Sequence, residues 1–173
     1  MKFCVISHTE HIKPQEQLFA YAPYVKEMNI WLKYVDEVQI VAPLTQKTVD
    51  PIKIAYQHDS ISIKTIPAIS LVGFFEIIKS IWYAPKIILQ IYNAMRWADH
   101  IHLRCPGNIG LLGCLVQIFF PMKPKTVKYA GNWDPKAKQP WSYRLQKWIL
   151  SNTFLSRNLQ VLVYGEWKNQ SKN

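Results

Sequence analysis

Short apolar blocks alternate with longer segments of helical periodicity along this chain, and that alternation predicts its elements. Phe3 to Ser7 is an apolar block that opens into a polar loop holding His8, Thr9, Glu10, His11 and Lys13, and it reads as a buried strand. From Glu16 to Tyr34, Leu18, Tyr21, Val25, Met28, Leu32 and their neighbours favour one face, so a helix is expected there. Pro23 marks a candidate start inside that span. Val38 to Ala42 reads as a second strand, ended by Pro43. Residues 44–60 are polar and read as a loop with an edge strand around Ile52 to Tyr56. Ile61 to Ile66 alternates as a strand and stops at Pro67.

Leu71 to Met95 is helical in composition and mostly apolar, interrupted by Glu76, Lys79, Pro85 and Lys86, which fits one kinked helix or two in succession. Strands follow around Ile101 to Leu103, Lys125 to Ala130 and Leu159 to Tyr164, with helices from Ile109 to Phe120 and from Trp141 to Phe154. Strands alternating with helices predict crossover units, and so an α/β domain with a Rossmann-like parallel sheet and helices on both faces. The 173 residues suit one such domain. Ile109 to Phe120 is too short to cross hydrocarbon, and the longer block from Leu71 carries charges and a proline. A buried or surface-lying helix is the expectation for both.

Charge then narrows the partners. The chain holds 21 Lys and Arg against 11 Asp and Glu, a net charge of +10, which favours a phosphorylated substrate, a lipid headgroup or nucleic acid. From Pro121 to Leu150 the excess is +6, carried by Lys123, Lys125, Lys128, Lys136, Lys138, Arg144 and Lys147 against Asp134. Cys4, Cys105 and Cys114 form no CxxC pair and read as reduced thiols in a cytoplasmic protein. The apolar run after Lys2 is too short for a signal-peptide core.

Ligands of open parallel sheets meet the carboxyl ends of strands, which singles out three loops. In Ser7 to Gln17, His8 or His11 is a candidate base or phosphate contact with Lys13 nearby, the alternative being capping or solvent exposure. In Arg104 to Gly110, Gly107 relaxes a turn, Asn108 is placed to cap the next helix, Gly110 permits close approach and Arg104 adds a forked cation. Together they describe a phosphate or carboxylate cradle, or else glycines that serve helix packing. In Gly131 to Pro135, Asn132 and Asp134 flank Trp133, a set able to orient a sugar by hydroxyl hydrogen bonds and ring contact, or else a rigid loop whose tryptophan plugs the sheet edge. No G-x-G-x-x-G fingerprint follows the first strand, which disfavours a nicotinamide site. His100 and His102 share one strand face without an acidic or cysteine partner at ligand spacing, so no metal site is read, and Glu27 reads as a surface or edge residue of the first helix.

Two stretches carry a family resemblance. Tyr21, Ala22, Pro23, Tyr24, Val25, Lys26, Glu27, Met28 together with Ala98, Asp99, His100, Ile101, His102, Leu103, Arg104, Cys105, Pro106, Gly107, Asn108, Ile109, Gly110 resemble the amino-terminal domain of bacterial retaining glycosyltransferases. These enzymes have the two-Rossmann-domain (GT-B) architecture, in the large group that includes sucrose synthase and lipid mannosyltransferases. Lys128 to Asp134 followed by Trp141 to Leu145 sits where that family has a strand, an acceptor-side loop and a helix, and Val161 to Glu166 resembles its last strand and the turn toward a second domain.

The resemblance implies that residues 1–173 are an amino-terminal, acceptor-side domain, one half of a GT-B architecture, and that the carboxyl-terminal domain holding most of the nucleotide-sugar is absent from this chain. It implies no cofactor in this domain, the nucleotide-sugar being a substrate. Many members have a glycine-rich turn where this chain has Ser7, His8, Thr9 and Glu10, and a histidine near the strand end that here reads Tyr129, Ala130, Gly131, Asn132. Asn132 and Asp134 are then the nearest substitutes for the catalytic polar group.

The expected function is transfer of a sugar from a nucleotide-sugar to a sugar or lipid-linked acceptor, a cell-envelope or polysaccharide precursor, with retention. It places the protein in the cytoplasm, peripheral on the inner face of the cell membrane if it meets an anionic surface, and the chain alone is expected to be inactive. The competing expectation is a non-catalytic basic module for nucleic acid or an anionic membrane. Nucleic acid is disfavoured, because Trp133, Trp141 and Trp148 meet the pattern of aromatic platforms among basic residues only in part.

Overall fold

The computed structural model describes residues 1–48, 50–134 and 136–164. The elements run β1 (Lys2–Ile6), β2 (His11–Ile12), β3 (Phe19–Tyr21), α1 (Ala22–Leu32), β4 (Glu37–Ala42), β5 (Leu44–Thr45), β6 (Lys53–Ala55), β7 (Ile61–Thr65), α2 (Phe74–Trp97), β8 (His100–Cys105), α3 (Asn108–Val116) with a single 3-10 turn over Gln117–Phe119, β9 (Lys125–Tyr129), α4 (Trp141–Ser151) and β10 (Leu159–Val163). Pro135, Gly165 and Glu166, which belong to the stretches singled out in the sequence, lie outside the described residues.

Six strands form one sheet in the order β10-β9-β8-β1-β4-β7, every neighbouring pair parallel. From β1 the chain adds strands to one side, through β4 to β7, then returns past β1 and adds β8, β9 and β10 on the other side. Right-handed crossovers in opposite directions must put their helices on opposite faces. Two separate cores show that they do. Phe3, Val5, Val38 and Ile40 pack against Val25, Met28 and Leu32 of α1. Cys4, Ile6, Ile101, Leu103 and Val127 face Ile87, Ile91 and Met95 of α2 with α3 and α4. Successive residues of β1 thus serve different cores, which is why the strand is apolar without alternation.

Two expectations shift, and one pair of alternatives is decided. The first helix begins at Ala22, with Pro23 in its first turn where a missing N–H costs nothing. The residues before it, Phe19–Tyr21, pair instead with β6 and β2 in a four-stranded sheet of order β5-β2-β3-β6. The block from Leu71 is one helix containing Pro85 rather than two. The carboxyl end of α2 is closed by Lys123, whose Nζ donates to the carbonyls of Met95, Arg96 and Ala98 at 2.8, 2.7 and 2.5 Å, a cation where the helix dipole favours one.

Candidate functional site at the sheet switch point

Strand addition reverses between β1 and β8, so the loops leaving their carboxyl ends diverge to opposite faces and leave a crevice, the usual ligand position in doubly wound sheets. The first loop turns at once: Ser7 is fully buried, its N–H donates to Val41, and its Oγ accepts from the Thr9 amide at 3.1 Å. His8 is thereby left exposed at the strand end, against the start of α3. A Cβ on Gly107 would lie 3.0 Å from His8 Nδ1, so the absence of a side chain at 107 is what admits the imidazole. Although the side chain reaches solvent, the protein packed round the ring removes part of its hydration; that desolvation first, and the Arg104 charge second, lower the pKa of His8 and favour the neutral ring.

Arg104 is not a free fork. Its guanidinium carbon lies 5.0 Å from the Tyr24 ring centroid, and one terminal nitrogen donates to Glu27 Oε1 at 2.7 Å, with the two side chains only 11% and 27% exposed. Tyr24 and Glu27 are three residues apart in α1 and so project from one face across to β8. The pairing spans 77 residues of sequence, and it gives Glu27, read as a surface or edge residue, a distant partner. Its electrostatic effect is to cancel the cation, leaving a polar but nearly neutral crevice in place of the expected phosphate cradle.

His11 has moved inward. It is fully buried in β2, where Nδ1 donates to the Thr9 carbonyl at 2.8 Å. That fixes the tautomer, so Nε2 accepts from the Tyr56 hydroxyl at 2.7 Å. The ring stacks on Tyr56 at 5.7 Å and meets Tyr24 edge-on at 5.9 Å, and burial lowers its pKa to about 4. The Tyr24 hydroxyl is buried beside the Ser7 and Tyr56 hydroxyls. His11 therefore supports the crevice floor from behind. Lys13, exposed, turns to Glu16 at 3.1 Å.

In the second loop Asn108 does not cap α3. It is the first residue of that helix, and its Nδ2 donates to the Ile69 carbonyl at 3.1 Å, tying α3 to the segment before α2. The buried Gln146 of α4 does part of the capping: its Oε1 accepts the Gly107 amide at 3.2 Å. A Cβ on Gly110 would come within 2.9 Å of the Arg104 carbonyl, so the close approach foreseen there is to the chain's own backbone. The peptide bond between Cys105 and Pro106 is cis.

The third loop abuts the second, since a Cβ on Gly131 would sit 2.9 Å from Pro106 Cγ. Asn132 Oδ1 accepts the Asp134 amide at 2.8 Å and Asp134 Oδ1 accepts the Lys136 amide at 2.9 Å, consecutive turns in which each side chain satisfies backbone two residues on. Trp133 is buried and meets the fully buried Tyr129 edge-on at 4.9 Å. The basic window also thins out. Lys125 donates to the Phe120 carbonyl and Lys147 to that of Asp134, and Lys128 lies 4.1 Å from the Tyr164 ring.

Compared with known proteins, the chain matches no family model and no curated protein. The site must be judged on its geometry. The structure brings together His8, Gly107 and the Arg104–Glu27 pair, sets His11 behind them, and leaves Lys13 at the surface. Ser7, Tyr24, Glu27, Tyr56 and Gln146 complete the constellation and were not picked out from sequence. Of these only Tyr24 and Glu27 carried a signal, their shared helix face.

Proposed function

We propose that this domain binds a hydroxyl-bearing acceptor at the crevice between β1 and β8 and is the acceptor side of a retaining glycosyltransferase, moving a sugar from a nucleotide-sugar to a cell-envelope or polysaccharide precursor in the cytoplasm. The observation that carries the reading is the switch point itself. A neutral imidazole, His8, stands exposed where the sheet's crossovers part, beside a guanidinium whose charge Glu27 already balances. A site for a bare phosphate needs a net cation; a site for sugar hydroxyls needs donors and acceptors of both kinds without one. His8 then orients an acceptor hydroxyl and takes up its proton as the acceptor oxygen bonds to the anomeric carbon on the same face from which the nucleoside diphosphate departs with the electron pair of the broken C–O bond, which keeps the configuration. The nucleotide-sugar is held mainly by a donor domain of the same architecture. Asn132 and Asp134, on the neighbouring loop, contact the acceptor's periphery.

The test is turnover in a protein that carries such a donor domain. His8→Ala is expected to lower kcat by about a hundredfold, the usual worth of a positioned acid or base, with donor KM little changed. Unaltered kcat in a folded His8→Ala protein would sink the assignment.

A further inference from the structure

Helix α2 is apolar on two sides, and only one of them is used inward. Ile87, Ile91, Ala94 and Met95 are buried in the core against the sheet, and Ser80 is buried on Ser70. On the other side Phe74, Ile78, Ile81, Pro85 and Ile88 recur at spacings of three and four residues, and beside them Phe75, Trp82 and Leu89 repeat every seventh. All of these face solvent, Phe75 at 83% and Trp82 at 82% exposure. A water-facing helix surface ordinarily carries polar side chains, and here the cations Lys79 and Lys86, seven residues apart, border the apolar stripe. The same helical layer continues outward through α3 to α4, where Trp141 and Trp148, also seven apart, are 63% and 60% exposed with the exposed Arg144 between them.

Charge follows the same division. Residues 71–160 hold 12 Lys and Arg against three Asp and Glu, whereas residues 1–70 hold seven of each. Among the described residues no helix is long and apolar enough to cross a membrane. We propose that the outward face of α2, continued by α4, is a docking surface for an anionic phospholipid bilayer, with α2 lying in the plane of the interface. Phe75 and Trp82 enter the boundary between headgroups and acyl chains, where aromatic rings are favoured, and Lys79 and Lys86 extend along the apolar stripe to reach lipid phosphates. A bilayer fits better than a protein partner because the border is of nearly one sign and the apolar stripe carries no polar group to fix a register. The proposal stands apart from sugar transfer, and its test uses no enzyme activity.

The full chain is sedimented with vesicles of phosphatidylcholine alone and with a fraction of phosphatidylglycerol. Binding is expected with the anionic vesicles, to fall at least about tenfold in Phe75→Ser/Trp82→Ser and to weaken with salt and in Lys79→Glu/Lys86→Glu. Because all four side chains are exposed, the variants are expected to keep the parent's thermal unfolding midpoint. Quenching of wild-type tryptophan emission by brominated acyl chains reads insertion without any variant. No quenching, binding unchanged in Phe75→Ser/Trp82→Ser, or a second copy of the chain released by that variant in place of lipid would each overturn the proposal.

Discussion

The crevice between β1 and β8 and the loop after β9 are built from similar residue types, yet they use their polar atoms in opposite ways. In the loop, Asn132 and Asp134 satisfy backbone amides two residues along, and Trp133 is buried on Tyr129. One oxygen of each polar side chain is thereby committed to its own turn. In the crevice, partners come from distant parts of the chain: Arg104 from β8 meets Glu27 from α1, His8 meets Gly107, and His11 from β2 meets Tyr56. Local closure makes a stable turn. Convergence from separate elements makes a surface whose remaining valence, at His8, points outward. The difference between a rigid loop and a site lies in which atoms the groups are already bonded to, and residue type alone does not reveal it.

The sharpest way to test that contrast is acid. The crevice floor holds a buried titratable group and the β9 loop holds none as deeply buried. Burial lowers the His11 pKa from the ordinary 6.5 to about 4, so the folded state resists a proton that the unfolded chain accepts. Its contribution to stability is complete above pH ~6.5 and is lost as pH falls through 4, about 3 kcal/mol in all. His102, enclosed by Phe3 and Trp31 and lowered to about 3 mainly by burial, adds a second loss of the same sign over an overlapping range. The diagnostic is therefore a difference. Urea unfolding from pH 7 to 4 is expected to show a shallower decline in His11→Phe than in the parent. Equal slopes would mean that His11 is not held neutral in the folded protein.

A smaller effect is expected from the ion pair. Glu27→Ala leaves the Arg104 guanidinium partly buried over Tyr24 without its counter-charge, and the loss expected is about 2 kcal/mol, below that of a fully buried pair because Glu27 is a quarter exposed. Glu27→Gln keeps one acceptor and is expected to lose less. Chemical denaturation of both variants beside the double variant Glu27→Ala/Arg104→Met, which removes both charges and keeps the arginine stem's volume, separates charge imbalance from packing. If the double variant is as damaging as Glu27→Ala, the pair matters through shape alone.

These partners also mark how far the sequence could be read. The strands of the large sheet and the inward faces of its helices were legible because burial on a parallel sheet imposes a continuous apolar block and a helix of period 3.6. The small sheet was legible only at its edge, where the strand expected around Ile52 to Tyr56 is β6. Its strands are two or three residues long, too short for any period, and His11–Ile12 exists as a strand only because Phe19 and Leu44 come alongside. Within the crevice, the carboxyl-end loops and His8 were legible from strand ends. The partner of Glu27 was not legible because it lies far along the chain, and the use of Asn108 was not because capping is one of several uses for an amide at a helix start. In the β9 loop the Asn-x-Asp spacing fits turn chemistry as well as it fits a sugar site, and the turns themselves became visible only in the hydrogen bonds.

The smallest effect expected belongs to that loop and discriminates most directly between the two regions. Asn132 is exposed, and its side chain contributes one hydrogen bond to the Asp134 amide within an exposed turn. Removing such a bond lets water replace the side-chain oxygen, so Asn132→Ala is expected to cost no more than about 0.5 to 1 kcal/mol. Asp134→Ala, which frees the Lys136 amide in the same manner, is expected to cost a similar amount. Trp133→Ala should instead open a cavity beside Tyr129 and be felt in the core. Thermal melts of the three variants give the ordering, and ligand binding gives its meaning. If the crevice is the principal site, Asn132→Ala and Asp134→Ala change acceptor affinity by less than about threefold while His8→Ala changes it more. A large affinity loss in Asn132→Ala, with its melting temperature intact, would move the acceptor's centre onto the β9 loop and reverse the contrast drawn between the two.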